Sequence, residues 1–531
     1  MAKKARLRPD AGKYSGNGYC PKCGSGWVVK SSTTTNAGSE KQRYLCMVCN
    51  LRTTMPITKP PEKAVLMREK LPKSKRYLVT AAQNATPIHK QFWQALLRCA
   101  KYYDAEIVVI PGRYKNPTSQ WTQNNKDHER WDAAVLPYLC KGRIQLNDRM
   151  MIVGDVKVQW AARKPLVGLD ALTKDMSGII GHGSRGLRSI ATPQYKHPKL
   201  MFTTGACTVP NYTDTKVGAL GKFNHTLGAL IVEIDGDAFY CRQLDSTREG
   251  SFIDLDVEFT PEEVRPAKPA LALAIGDLHF RWANQEVLNA TLVGPSSLVS
   301  ITDPKVLFWH DVLDFHSRNH HHEGDWITQY AKWKFGLECV RTEMDEVIDF
   351  LNEQTPEGRQ SAIVASNHDR AATKWLWRAD DRTDHVNADF IVECKKRARE
   401  SVRKGPGGIK YDDVFTSYAN TRAKENVLYL VEGASKSIAR VEYSYHGDKG
   451  PNGTRGSTQN LSKMGIKVTK GHDHTAAIID ACYSVGKCTG MLEYEGGAPS
   501  AHTNSHVLQY ANGKRTVITI IKGHFCLKRK K

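Results

Sequence analysis

The sequence predicts an α/β protein in three parts, residues 1–60, 61–265 and 266–531. Three observations carry that expectation. Five short polar clusters between Gly276 and His474 each close an apolar or β-prone run, residues 76–110 read as strand, helix and strand, and two Cys-x-x-Cys knuckles stand near the start.

The knuckles are Cys20-Pro21-Lys22-Cys23 and Cys46-Met47-Val48-Cys49. This is zinc-ribbon spacing: Cys20, Cys23, Cys46 and Cys49 supply four thiolates for one structural zinc, and so short a segment could hardly bury enough core to fold without it. Disulfide pairing is the competing reading, and the lack of a signal peptide ahead of the cysteines weighs against it. The other nine of the 13 cysteines are scattered singly, as in a reducing cytoplasm.

Two proline-containing stretches mark the boundaries, Pro56 to Pro61 and then Pro261, Pro266 and Pro269. The middle part, 61–265, opens with Arg76 to Ala82 as a strand, Ile88 to Tyr103 as a helix and Glu106 to Ile110 as a strand. Phe92, Leu96, Leu97 and Ala100 give that helix one apolar face. This region is expected to be α/β, with no role assigned. Its Gly112 to Pro117 and Gly181 to Gly186 stretches read either as phosphate cradles or as ordinary glycine-rich turns, and neither has P-loop or dinucleotide-fingerprint spacing.

The five clusters are Gly276-Asp277-Leu278-His279, His310-Asp311-Val312-Leu313-Asp314, Ser366-Asn367-His368-Asp369, Tyr445-His446-Gly447 and Gly471-His472-Asp473-His474. The runs ahead of them are Leu271 to Ile275, Val306 to Trp309, Ile363 to Ala365, Arg440 to Tyr445 and Ile466 to Thr469. Polar residues delivered at strand carboxyl ends converge where open α/β sheets place their sites. Asp, His and Asn are oxygen and nitrogen ligands for divalent ions, and a bridging carboxylate can hold two of them roughly 3.5–4 Å apart. Between the second and third clusters, Val340, Met344, Val347, Ile348 and Leu351 form the apolar face of a helix.

In order and content these clusters resemble the calcineurin-like metallophosphoesterase superfamily, whose pattern runs DxH, GDxxD, GNHD, a lone His and GHxH. The resemblance covers about the last half of the chain. It implies a C-terminal metallophosphoesterase β-sandwich flanked by helices. It also implies two divalent ions, manganese foremost: Asp277, His279, Asp311 and His474 around the first, Asp311 bridging, and Asn367, His446 and His472 completing the second. His310 and Ser366 depart from the pattern, standing where it has glycine. Beside Asn367, His368 is expected to reach the leaving oxygen, with Asp369 orienting it. Asp314 is expected to orient a ligand histidine. His316 and His320-His321-His322 read as a loop facing substrate or solvent, since adjacent histidines cannot all turn towards one ion.

Composition points to the polymer. Lys plus Arg number 76 against 55 Asp plus Glu, a formal charge of +21 and a pI near 9.3. Such a surface attracts phosphate polymers through counterion release, without regard to sequence. The basic loop after His446 adds Lys449 and Arg455 as candidate contacts to a DNA backbone, and Leu527 to Lys531 reads as a basic tail. DNA is therefore the expected partner, with a homo-oligomer left open. No apolar run approaches the roughly 20 residues of a membrane span, and a cytoplasmic protein is expected.

The expected activity is a two-metal phosphodiesterase acting on DNA. The layout also resembles early-expressed DNA-transfer proteins of certain tailed bacteriophages, which implies degradation of host DNA early in infection. Two other readings use the same residues: a phosphoprotein or nucleotide phosphatase, marked by turnover of a small ester without DNA cleavage, and a noncatalytic DNA-binding scaffold, marked by binding without hydrolysis.

Overall fold

The computed structural model describes residues 17, 20–21, 28–36, 39–47, 49–54, 68–121, 130–193, 199–405, 408–492 and 495–527. Met1–Met67 and Arg68–Lys531 are separate compact units.

In the first unit, strand Val28–Asn36 pairs antiparallel with Ser39–Cys46, which pairs in turn with Arg52–Thr53. Among its described residues Cys20, Val28 and Cys46 are buried together, with Tyr44, Cys49 and Leu51 packed against them.

The second unit is α/β, as the residue patterns predict. Strands Arg76–Gln83 and Glu106–Gly112 are parallel, joined by helix Lys90–Tyr103, and lie at one side of a four-stranded sheet completed by Gly228–Asp235 and Ala238–Asp245. The helix buries Phe92, Trp93, Ala95, Leu96 and Cys99, starts at a His89 cap and ends at Asp104 in the left-handed region. The Gly181 to Gly186 stretch is no cradle. His182, Gly183, Ser184, Arg185 and Gly186 are buried, and Arg185 is ion-paired with Asp245. Gly112 is also a packing glycine, because a Cβ there would overlap the Trp160 ring.

A ten-stranded sheet draws on both sides of residue 265. It carries Met150–Val153, Ser177–Ile180, Lys199–Thr203 and Leu187–Ile190, and continues through Ala477–Ile479, Cys482–Ser484, Lys467–Lys470 and Val441–Glu442. The seam is the pairing of Ile478 with Leu187. A six-stranded sheet orders Val427–Leu430, Gln360–Val364, Val306–Trp309 and Ala272–Ala274 in parallel, then Ser505–Gln509 and Arg515–Thr519 antiparallel.

The two-residue period of these strands builds two cores. Ala272, Ala274, Phe308, Ala362 and Val364 face a core shared with Val441, Tyr443, Ile478 and Tyr483 of the larger sheet, where Phe308 stacks on Tyr443 at 4.2 Å. The alternate residues Leu273, Ile275, Leu307, Trp309 and Ile363 pack on helices, including the Val340, Met344, Val347, Ile348 and Leu351 face of Val340–Glu353. Sheet packing on one side and helices on the other hold the carboxyl ends of the parallel strands rigidly. Among the described residues no helix is long and apolar enough to cross a membrane.

Candidate metal centre

Asp277 and His279 follow strand Ala272–Ala274, Asp311 follows Val306–Trp309, and Asn367 follows Gln360–Val364. From the larger sheet, His446 follows Val441–Glu442, and His472 and His474 follow Lys467–Lys470. These two strands are parallel neighbours, so both sheets aim their loops at one place.

Two ligand groups form there and share Asp311. On one side His279 Nε2 lies 3.8 Å from Asp311 Oδ2 and 3.2 Å from His474 Nε2, and His474 Nε2 is 3.2 Å from Asp277 Oδ2. On the other, His446 Nε2 lies 3.1 Å from both Asp311 Oδ2 and Asn367 Oδ1, and His472 offers a ring nitrogen to the same group. Every residue that the resemblance implies as a ligand is thus brought to the centre.

Three observations show that this donor set fits cations. Asp277 Oδ1 and Asp311 Oδ1 are buried without a hydrogen-bond partner among the described residues, a costly state for a carboxylate unless positive charge neutralises it. His279, Asp311, His472 and His474 all hold positive φ, at 40°, 42°, 74° and 54°, and such backbone strain in non-glycine residues gathers at functional sites. A Cβ on Gly471 would overlap Asp277 Oδ1, so the fifth cluster approaches the first too closely for any side chain.

The electrostatics agree. Burial alone would raise the Asp277 carboxyl, but the hydrogen bond from His474 brings it down to about 2. Burial of Asp311 is likewise outweighed by His446 and His368, which hold it well below the usual range. Against their own burial, His474 is raised to about 9 by Asp277 and Glu495, and His446 is raised by Asp311. The paired carboxylates pull protons onto their histidines, and divalent ions would displace those protons.

The surrounding shell contains residues that the motifs do not reveal. Asp314 Oδ1 lies 3.1 Å from His279 Nδ1, and its Oδ2 accepts from Trp282 Nε1 at 3.1 Å. Glu495 stands 3.6 Å from His474 Nδ1 and binds His502 Nδ1 at 2.8 Å and Lys487 Nζ. A carboxylate behind each ring fixes its orientation. Glu495, Lys487, His502 and Trp282 belong to no short motif, and only the fold brings them here. His474, Glu495 and His502 also cluster, but Lys487 already neutralises Glu495.

His368 lines the cleft with its ring centroid 4.8 Å from that of His279 and Nδ1 3.3 Å from the Asp314 carbonyl. The expected partner Asp369 is elsewhere: its Oδ2 accepts from Ser366 N at 3.1 Å, and burial together with Asp311 raises it to about 7. Successive side chains at a helix start diverge, so Asp314 and not Asp369 lies against His368. His310 is fully buried, 5.7 Å from the His446 ring, and burial with His446 brings it down to about 3, which leaves it neutral.

A cleft of about 1580 Å³ opens over the centre, with Asp311, Asn367, His368, His472 and His474 on its floor and Arg455 on its wall. His316, His321 and His322 also line it. Lys449 is not among its lining residues and is ion-paired with Glu432.

In the N-terminal unit Cys20, Cys46 and Cys49 bring their sulfurs within 4.8 Å of one another, with Cys20 Sγ 3.6 Å from Cys49 Sγ. Thiolates around a tetrahedral zinc stand about 3.8 Å apart, as Zn–S bonds of about 2.3 Å require. Cys23 lies outside the described residues, as do the basic tail from Lys528 onward and the whole of the Pro56 to Pro61 boundary.

No family model matches the chain. It is 33% identical over 472 residues to Protein A1 of Escherichia phage T5, covering 85% of this chain and 83% of that protein.

Proposed function

The chain belongs to the family of that bacteriophage protein, and from this premise we propose that it is a two-metal phosphodiesterase that hydrolyses DNA, degrading host DNA early in phage infection. The observation that carries the proposal is Asp311, one carboxylate common to two groups of ligands under a wide cleft. A basic chain of net charge +21 suits a phosphate polymer in that cleft.

Asp277, His279, Asp311 and His474 would hold one ion, and Asp311, Asn367, His446 and His472 the other. Such ions, manganese in this reading, would supply an activated water and neutralise charge at phosphorus. The chain does the rest. Asp314 and Glu495 hold the His279 and His474 rings with Nε2 towards the centre. His368, kept by Asp314 at the cleft floor, hydrogen-bonds or protonates the leaving oxygen. Arg455 draws the backbone phosphate against the wall. Cys20, Cys46 and Cys49 would hold a structural zinc, with Cys23 as the fourth thiolate that the Cys-x-x-Cys spacing supplies.

The test is cleavage of linear and closed-circular duplex DNA with added manganese by the intact protein, Asp311→Ala and His368→Ala, beside hydrolysis of bis(p-nitrophenyl) phosphate. Manganese-dependent cutting lost in both variants is expected. Turnover of a small phosphomonoester with DNA left intact would instead indicate a phosphatase, and DNA binding without any hydrolysis a scaffold.

A further inference from the structure

Helix Trp326–Lys334 is amphipathic the wrong way round. Its partly or fully buried side is Thr328, Ala331 and Lys332, while Trp326, Tyr330 and Trp333, spaced i, i+4 and i+7, stand in water at 73%, 55% and 65% exposure. Ile327 and the capping Phe335 are exposed beside them. A helix normally turns such a stripe to the core. An apolar patch of this kind marks a place where something binds.

Its position suggests what binds. Asp325, the N-cap of this helix, lines the metal cleft together with His321 and His322. The ring row therefore begins at the mouth of the cleft. A cation accompanies it: Lys334 is exposed on the helix with Nζ 5.7 Å from the Phe335 ring. The Tyr330 and Trp333 ring centroids are 5.6 Å apart, their planes tilted by 36°. Aromatic rings in a row, beside a cation that meets phosphate, form the surface that holds unpaired nucleobases.

We infer that the outward face of this helix is a stacking platform for the bases of a single-stranded segment leaving the metal cleft. The inference rests on the phosphodiesterase reading of that cleft. Duplex bases are already stacked on one another and would gain little from the rings, so the platform favours frayed, nicked or single-stranded nucleic acid.

The probe is a fluorescein-labelled phosphorothioate oligothymidylate, which resists cleavage, with a phosphorothioate duplex of equal length as comparison, titrated onto the full-length protein. A Trp326→Ala, Tyr330→Ala, Trp333→Ala triple variant is expected to bind the single strand at least about tenfold more weakly and the duplex within about twofold of the parent. A Phe replacement at the same three positions is expected to retain most of the affinity, which separates stacking from folding. Hydrolysis of bis(p-nitrophenyl) phosphate by the Ala variant is expected to match the parent. Unchanged single-strand affinity, or equal losses for single strand and duplex, would overturn the inference. If light scattering then showed a smaller assembly the face would be a self-association surface, and if flotation with phosphatidylglycerol vesicles were lost it would be a membrane-facing one. A parent protein that hydrolyses neither DNA nor the small ester sinks the phosphodiesterase reading alone, since the binding contrast is measured without cleavage.

Discussion

Asp314 Oδ1 lies 3.1 Å from His279 Nδ1, on the side of the ring that faces away from Asp311. With the Nδ1 proton directed to that carboxylate, Nε2 is left as the ligand atom. The hydrogen bond from His279 overcomes burial and holds Asp314 at about 2, so the carboxylate stays ionised at any working pH. Asp314→Asn is expected to weaken manganese binding and slow DNA cleavage by roughly 10–100-fold. Manganese titration followed by initial rates at saturating metal separates the two effects, and an Asn variant equal to the parent in both would remove Asp314 from the account.

Gly471 tests the closeness of the first and fifth clusters. A Cβ there would overlap Asp277 Oδ1 and press on His310. Gly471→Ala is expected to lower metal affinity by at least about tenfold, and the overlap with the buried Asp277 and His310 to lower the melting temperature in chelator as well. Calorimetry with and without manganese reads both quantities.

Arg455 and Lys449 come from one basic loop but have different surroundings. Arg455 lines the cleft, whereas Lys449 is ion-paired with Glu432 outside it. Arg455→Glu is expected to raise KM for DNA about tenfold and to flatten the dependence of affinity on salt by about one phosphate contact. Lys449→Glu is expected to do much less. Equal effects of the two reversals would contradict this assignment.

Acid sensitivity should come in part from His506. Its Nδ1 accepts from Gly276 N at 2.9 Å, its Nε2 meets Thr291 Oγ1 at 2.8 Å, and burial brings it down to about 3. Because the folded value lies below the unfolded one near 6.5, the neutral ring contributes stability above about pH 6.5. That contribution is lost as pH falls towards 3. Between pH 7.5 and 5.0 the stability of the parent should fall by about 2 kcal/mol more than that of His506→Gln. Urea unfolding at the two pH values measures it.

Local chemistry was the legible part of this sequence. A strand of alternating apolar residues followed at once by Asp, His or Asn carries its own address, and the five clusters meet because parallel strands place their carboxyl ends side by side. The helix Lys90–Tyr103 and the buried face of Val340–Glu353 were readable for the same reason, a period within a few turns. Long-range contact was not. Nothing near Glu495 or His502 announces that they stand behind His474, and the choice of Asp314 over Asp369 beside His368 depends on where a loop crosses. The ten-stranded sheet joins residues on either side of 265 through strands of only a few residues, too short to show their partners. In Trp326–Lys334 the helical period marks an apolar stripe, but the fold turns that stripe to solvent.

The central claim is that Asp311 holds two ions at once. Metal content per chain, measured by inductively coupled plasma mass spectrometry after manganese loading and desalting, tests it most directly when DNA cleavage is assayed on the same samples. The parent should carry two manganese ions, His446→Ala one, and Asp311→Ala none, with cleavage lost in both variants. A parent that cleaves DNA with a single ion, or an Asp311→Ala protein that keeps two, would contradict it.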